Sequence, residues 1–177
     1  MLTPLDFRNS FNKIMAEIEV KDLPVNIFIQ QENYKKILAD VDKTDTFTEY
    51  QWRKLVRVCR AIKEYETRFS MDDWHYKKGC GTTHCLAGWT LALEYGDIDI
   101  DDINVDDRRM LVPDDYMNDE YLSTPKTAEF FLSKYTRPFF FFTNRVDGVN
   151  KDAERLVMKY FIEPILQEDD KDKLNSF

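Results

Sequence analysis

One segment constrains the fold more than any other. Between Thr48 and Glu66, the residues Trp52, Leu55, Val56, Cys59 and Ile62 recur at spacings of three and four. That rhythm follows the 3.6-residue turn of an α-helix and collects the apolar side chains on one stripe. Thr46 followed by Glu49 fits a capping box at its start. Arg53, Lys54, Arg57, Arg60 and Lys63 cover the remaining surface and form the one concentrated basic face of the sequence. Such a helix needs other elements against which to bury its stripe.

Those elements read as further helices. Thr3-Pro4 sets a cap followed by proline at the first helical position, and Leu5, Phe11, Ile14, Met15 and Ile18 continue as a stripe. A short helix over Tyr34 to Val41 turns Ile37 and Leu38 inward. Another runs from about His84 to Tyr95 and stops at Gly96, a left-handed cap. Thr124-Pro125 opens a helix with Ala128, Phe131, Leu132 and Tyr135 inward, ended by Pro138. Asn150 caps a last one carrying Ala153, Leu156, Val157, Tyr160 and Phe161, which Pro164 closes or kinks. Pro24 to Ile29 and Asp97 to Asp101 are the candidates for extended structure. Five glycines and six prolines are too few for a multi-turn sandwich, and no glycine- or proline-rich linker divides the chain. The expectation is a mainly α, compact single domain over residues 1–166 with at most a small β element. Residues 167–177 are polar and expected to fray.

Length and charge bound the function. A chain of 177 residues buries about two-thirds of its unfolded surface without needing a metal or disulfide. Acidic residues number 33 against 25 basic, a net charge of −8. Affinity for a phosphate backbone rests on basic side chains, so nucleic acid is not the expected partner. Three cysteines are no disulfide framework. The amino-terminal residues have no basic flank leading into an apolar run, as a signal peptide would. The longest apolar run is Phe139 to Phe142, far short of the ~20 residues of a membrane span. A cytoplasmic protein with reduced thiols and no membrane partner is expected.

The densest chemistry lies between Met71 and Trp89, which hold both histidines, two of three cysteines and two of three tryptophans. Read structurally, Gly79 and Gly81 permit a tight turn and Thr82 or Thr83 caps the following helix. Cys85, Gly88 and Ala92 then form a stripe of small residues covered by Trp74 and Trp89. Read as a metal site, His75, Cys80, His84 and Cys85 are good zinc ligands. Their spacing is poor, because His84 and Cys85 would leave a helix in different directions, so no metal is assigned. Read as a nucleophilic site, Cys85 or Cys80 would work with His75 or His84 as base. Read as an anion site, Lys77, Lys78, Gly81, Thr82 and Thr83 would present charge and free N–H groups at a helix start.

The pattern Met71, Trp74, Cys80-Gly81-Thr82, Cys85, Ala87-Gly88-Trp89 resembles one in small, largely uncharacterised proteins of bacteriophages and bacterial mobile elements. In those proteins a Cys-Gly-Thr-x-x-Cys-x-Ala-Gly-Trp core precedes a helix leading to a Leu-Phe pair. Here residues 127–142 occupy the later segment, with Phe139 to Phe142 in place of that pair. The resemblance implies a phage-type origin and a helical fold, and it implies no cofactor.

Two further features complete the reading. The stretch from Asp97 to Glu120 carries ten acidic residues. It is no EF-hand, since Asp102 and Arg108 stand where that loop needs glycine and glutamate. It reads as a solvated acidic loop, or as a mimic of DNA phosphates. Phe139 to Phe142, if extended, would face alternate sides, so a second face is either covered or sticky. The sequence therefore predicts a non-enzymatic accessory protein that binds a host or viral macromolecule, a protein. Arg53, Arg57, Arg60, Phe140 and Phe142 are its candidate contacts. A thiol-dependent enzyme and a nucleotide- or anion-sequestering protein are the alternatives.

Overall fold

A computed structural model describes residues 1–17, 32–33, 35–71, 75–78, 81–95, 124–141 and 151–176. The protein is mainly α. Helix α1 spans Pro4–Glu17, α2 Glu49–Glu64, α3 Leu86–Tyr95, α4 Thr124–Leu132, α5 Lys151–Val157 and α6 Glu163–Asn175. Residues 35–39 are also helical. Among the described residues one antiparallel hairpin, β1 His75–Lys78 with β2 Gly81–His84, precedes α3. The expected extended segments at Pro24 to Ile29 and Asp97 to Asp101, the acidic stretch around them, and Asn150 lie outside the described residues.

Helix starts follow local chemistry. At α1 the Thr3 amide and hydroxyl both donate to Asp6 Oδ2, at 2.8 Å each, with Pro4 at the first helical position. At α2 the capping box is two residues later than expected. The Gln51 amide donates to Thr48 Oγ1 at 3.1 Å, and the Thr48 amide donates to Gln51 Oε1 at 3.0 Å. The reason is Phe47. It is buried, and its ring lies 6.4 Å from that of Trp52. Residue before the cap against fourth residue of the helix is a hydrophobic staple, and it fixes the entry at Thr48.

Four phenylalanines form the centre of the core. Phe139 stacks on Phe161 with centroids 3.9 Å apart. Phe7 meets Phe161 at 4.9 Å and Phe139 at 5.7 Å, both edge-on, and Phe11 meets Phe139 edge-on at 6.0 Å. Offset and edge contacts suit the ring quadrupole. The cluster joins α1, the segment after α4 and the segment after α5. Phe139 and Phe140 are not extended: Lys134–Phe141 is a 3-10 helix that contains Pro138. Pro138 therefore does not end α4. The break is at Ser133, whose φ is 125°.

Pro164 does not end its helix either. A π turn, Met158–Ile162, separates α5 from α6. A proline lacks its N–H and crowds the carbonyl four residues back, and a widened turn accommodates both effects. The helix then runs to Asn175, so the expected frayed tail is helical. Its polar second half is held by charge: Arg60 binds Asp169 and, at 2.8 Å, Asp170. The Met1 ammonium lies 2.8 Å from Asp172 and 3.2 Å from Glu168. Among the described residues no helix is long and apolar enough to cross a membrane.

Two measurements test this packing. Phe139→Ala should lower unfolding stability by about 3–5 kcal/mol, read from urea denaturation; a loss under about 1 kcal/mol would contradict the central position of this ring. Partial burial raises the Asp169 carboxyl, but hydrogen bonds from Arg60 and Lys173 outweigh it and hold the group below its ordinary value. A depressed carboxyl stabilises the fold above its unfolded value, near pH 4, and that contribution disappears as pH falls through the folded value. Asp169→Asn should therefore lower stability at pH 7, with the difference closing as pH falls below the ordinary carboxylate range. A difference independent of pH would refute the ion-pair account.

Candidate functional site

The Met71–Trp89 motif folds differently from its helix-start reading. Within the hairpin the register pairs His75 with His84, Tyr76 with Thr83, Lys77 with Thr82 and Lys78 with Gly81. Thr82 and Thr83 are thus strand residues, and the cap position of α3 falls to Cys85. Its carbonyl accepts from the Trp89 amide at 2.8 Å, and its Sγ accepts from the Gly88 amide at 3.4 Å. The sulfur takes the place usually held by a serine or aspartate oxygen. Residues 85–92 are all buried, so this helix start is closed by packing. The anion-site candidates Lys77, Lys78, Gly81, Thr82 and Thr83 lie along the hairpin instead of around it.

Burial also decides the role of Cys85. It is 1% exposed, and Gly88 and Ala92 of α3 are buried with it. Trp89 covers this region: it stacks on Tyr65 at 6.1 Å, with the Arg68 guanidinium 5.5 Å above its ring. Cys85 is core filler in this arrangement, which removes the fallback nucleophile from contact with a substrate. Cys80 and Trp74 lie outside the described residues. His75 and His84, the candidate bases, are opposed across the hairpin. Among the described residues no group of three or more His, Cys, Asp or Glu is arranged to hold a metal. Cys59 is fully buried in α2, and desolvation pushes its thiol far up.

The basic face of α2 is compensated from within the chain. Arg53 pairs with Glu49 on the same helix. Lys54 pairs with Glu94 of α3, and Arg57 reaches the same carboxylate at 3.9 Å and the Leu93 carbonyl at 3.3 Å. Arg60 and Lys63 are engaged by α6. Arg53, Arg57 and Arg60 thus carry charge that already has carboxylate partners. Phe140, the other expected contact, is 1% exposed and belongs to the core; Phe142 lies outside the described residues.

A different surface stands open. An open groove of about 660 Å³ runs between the start of α2 and the end of α4, lined by residues including Gln51, Phe130, Ser133, Tyr135 and Arg137. Phe130 is 68% exposed on its flank, and Tyr50 nearby is 54% exposed. Phe130 meets the half-buried Phe131 edge-on at 5.3 Å. The Lys54 ammonium lies 5.8 Å from the Phe131 ring and 5.3 Å from the Tyr50 ring, joining the aromatics across the two helices. In the groove Arg137 pairs with Glu129 at 3.0 Å, and Lys134 lies over the Tyr135 ring at 4.9 Å. The floor is rigid. The Ser133 carbonyl accepts from both the Thr136 amide and hydroxyl, and its Oγ accepts from the Tyr135 amide. These bonds hold a serine at a φ that favours glycine.

Phe130 was not among the sequence-derived candidates, although its signal is present. With Ala128, Phe131 and Leu132 facing inward, a helix turns Phe130 to the opposite side. No protein-family model matches this chain, and neither the curated proteins nor the solved structures contain a significant match to it.

Burial predicts thiol chemistry directly. At pH 8, iodoacetamide should leave Cys59 and Cys85 unmodified in the native chain and alkylate both in urea, as read by peptide mass mapping. Rapid native labelling of Cys85 would restore the nucleophile reading.

Proposed function

We propose that this chain is a non-enzymatic accessory protein of phage type that binds a macromolecule of the host or virus, a protein, through the groove between α2 and α4. The observation that carries this reading is the exposure of Phe130 beside that groove. Burying a phenyl ring is worth about 1.5–3 kcal/mol, and this one is left in water. Aromatic side chains and arginine are enriched where protein partners dock. Phe130, Tyr50, Tyr135 and Arg137 provide that composition on one surface. The net charge of −8 and the internal pairing of the α2 arginines favour a protein over nucleic acid. The resemblance of the Cys80 to Trp89 motif to phage and mobile-element proteins supports the origin, and with it action in the host cytoplasm.

The test compares the unaltered chain with Phe130→Ala/Tyr50→Ala as bait in a bacterial lysate. Both substitutions are at exposed sites and should change stability by no more than about 0.5 kcal/mol each. At least one retained protein should fall by roughly tenfold with the variant, equivalent to about 1.4 kcal/mol of lost binding. Identical retention by both baits would sink the assignment of this surface.

A further inference from the structure

The basic face of α2 offers a second interaction surface, independent of the groove. Arg53, Arg57 and Arg60 stand at i, i+4 and i+7, one stripe along the helix. The upper part of this stripe is occupied by the chain itself. Arg60 holds the adjacent carboxylates Asp169 and Asp170 of α6, more than a hundred residues away in sequence. Lys63 reaches Glu163, 3.5 Å away, on the same helix.

The second half of α6 has no apolar anchor. Ile165 is buried and Leu166 partly so, and beyond them Leu174 is 76% exposed. Among the described residues, the contacts that tie residues 168–172 to other elements are that of Arg60 and that of the Met1 ammonium on Glu168 and Asp172. Surface ion pairs contribute about 0–1 kcal/mol each, and salt screens them. The π turn and Pro164 lie directly ahead of this half-helix, where the regular hydrogen-bond ladder is already altered. Residues 168–175 are therefore among the segments most easily lifted from the fold. Lifting them strips Arg60 of both carboxylates and leaves its guanidinium open beside Arg57, whose own carboxylate contact, with Glu94, is long at 3.9 Å.

We infer that α6 is an internal stand-in for a partner, and that the Arg57–Arg60 face of α2 receives an acidic helix of another protein in its place. The internal contact defines the chemistry: two neighbouring carboxylates on a helix, both accepting from one terminal nitrogen of the Arg60 guanidinium. A nucleic-acid strand fits less well. A phosphate chain is charged along its whole length and would run past Glu49, Glu94 and Glu66, which flank the stripe, whereas a helix can confine its carboxylates to the turn that faces Arg60.

The full-length chain tests this with a synthetic peptide of residues 163–175 as probe. Asp169→Asn/Asp170→Asn should bind the labelled peptide roughly tenfold more tightly than the unaltered chain in fluorescence anisotropy at low salt. Adding Arg60→Gln should return binding to the unaltered level. An unchanged affinity, a gain that survives Arg60→Gln, or tighter binding of a single-stranded DNA of equal charge would each overturn the inference. Hydrogen exchange on the unaltered chain gives a second reading. Raising salt from about 0.05 M to about 0.5 M shortens the screening length severalfold and should speed exchange in residues 168–175 while leaving α2 unchanged. Salt-independent exchange there would equally refute a detachable half-helix.

Discussion

The contact on which the rest depends is the stack of Phe139 on Phe161, with Phe7 and Phe11 edge-on around it. Each ring comes from a segment that does not form a regular α-helix around it, or from the first helix of the chain. Phe139 is delivered by a 3-10 helix and Phe161 by a π turn. Both are energetically weaker backbone forms than an α-helix, and eight residues is long for a 3-10 run. They persist because burial of large rings outweighs the poorer hydrogen bonds. The aromatic centre thus explains the backbone irregularities, and the irregularities in turn bring together segments far apart in sequence.

Regular periodicity was the legible part. The stripe of α2 and the inward faces of α4 and α5 could be read from spacing, because burial of one face dictates where apolar residues recur; on α1 the spacing found Phe11 and Ile14 but passed over Phe7, which is buried in the ring cluster. Irregular backbone was not legible. Pro138 was expected to end its helix and Pro164 to close or kink its own, yet Pro138 lies inside a 3-10 helix and Pro164 opens α6 just after a π turn, segments that the local sequence does not announce. Thr46 looked like a cap by type, while the staple from Phe47 to Trp52 moved the start to Thr48. In each case a tertiary contact overrode a local preference.

The candidate site divides the same way. The Cys85 to Ala92 stripe was readable as packing, since small residues at helical spacing mark close approach. The hairpin that displaces Thr82 and Thr83 from the helix start was not, because Gly79 and Gly81 permit several turn geometries and the strand pairing selects one. The arginines of α2 were visible as a face, but the carboxylates that meet Arg57 and Arg60 come from α3 and α6, at sequence separations no pattern reveals. Polarity of residues 167–177 suggested fraying because the long-range partners of Glu168, Asp169, Asp170 and Asp172 are not visible in sequence.

Ser133 has a mechanical implication. Tyr135 and Arg137 on the groove wall belong to the same eight-residue coil as Phe139 and Phe140 at the centre of the molecule. The hydrogen bonds that pin Ser133 in its unusual twist fix the origin of that coil. Surface and interior are consequently two ends of one short lever: the backbone that carries the wall at Tyr135 and Arg137 continues within two residues to Phe139 in the ring stack.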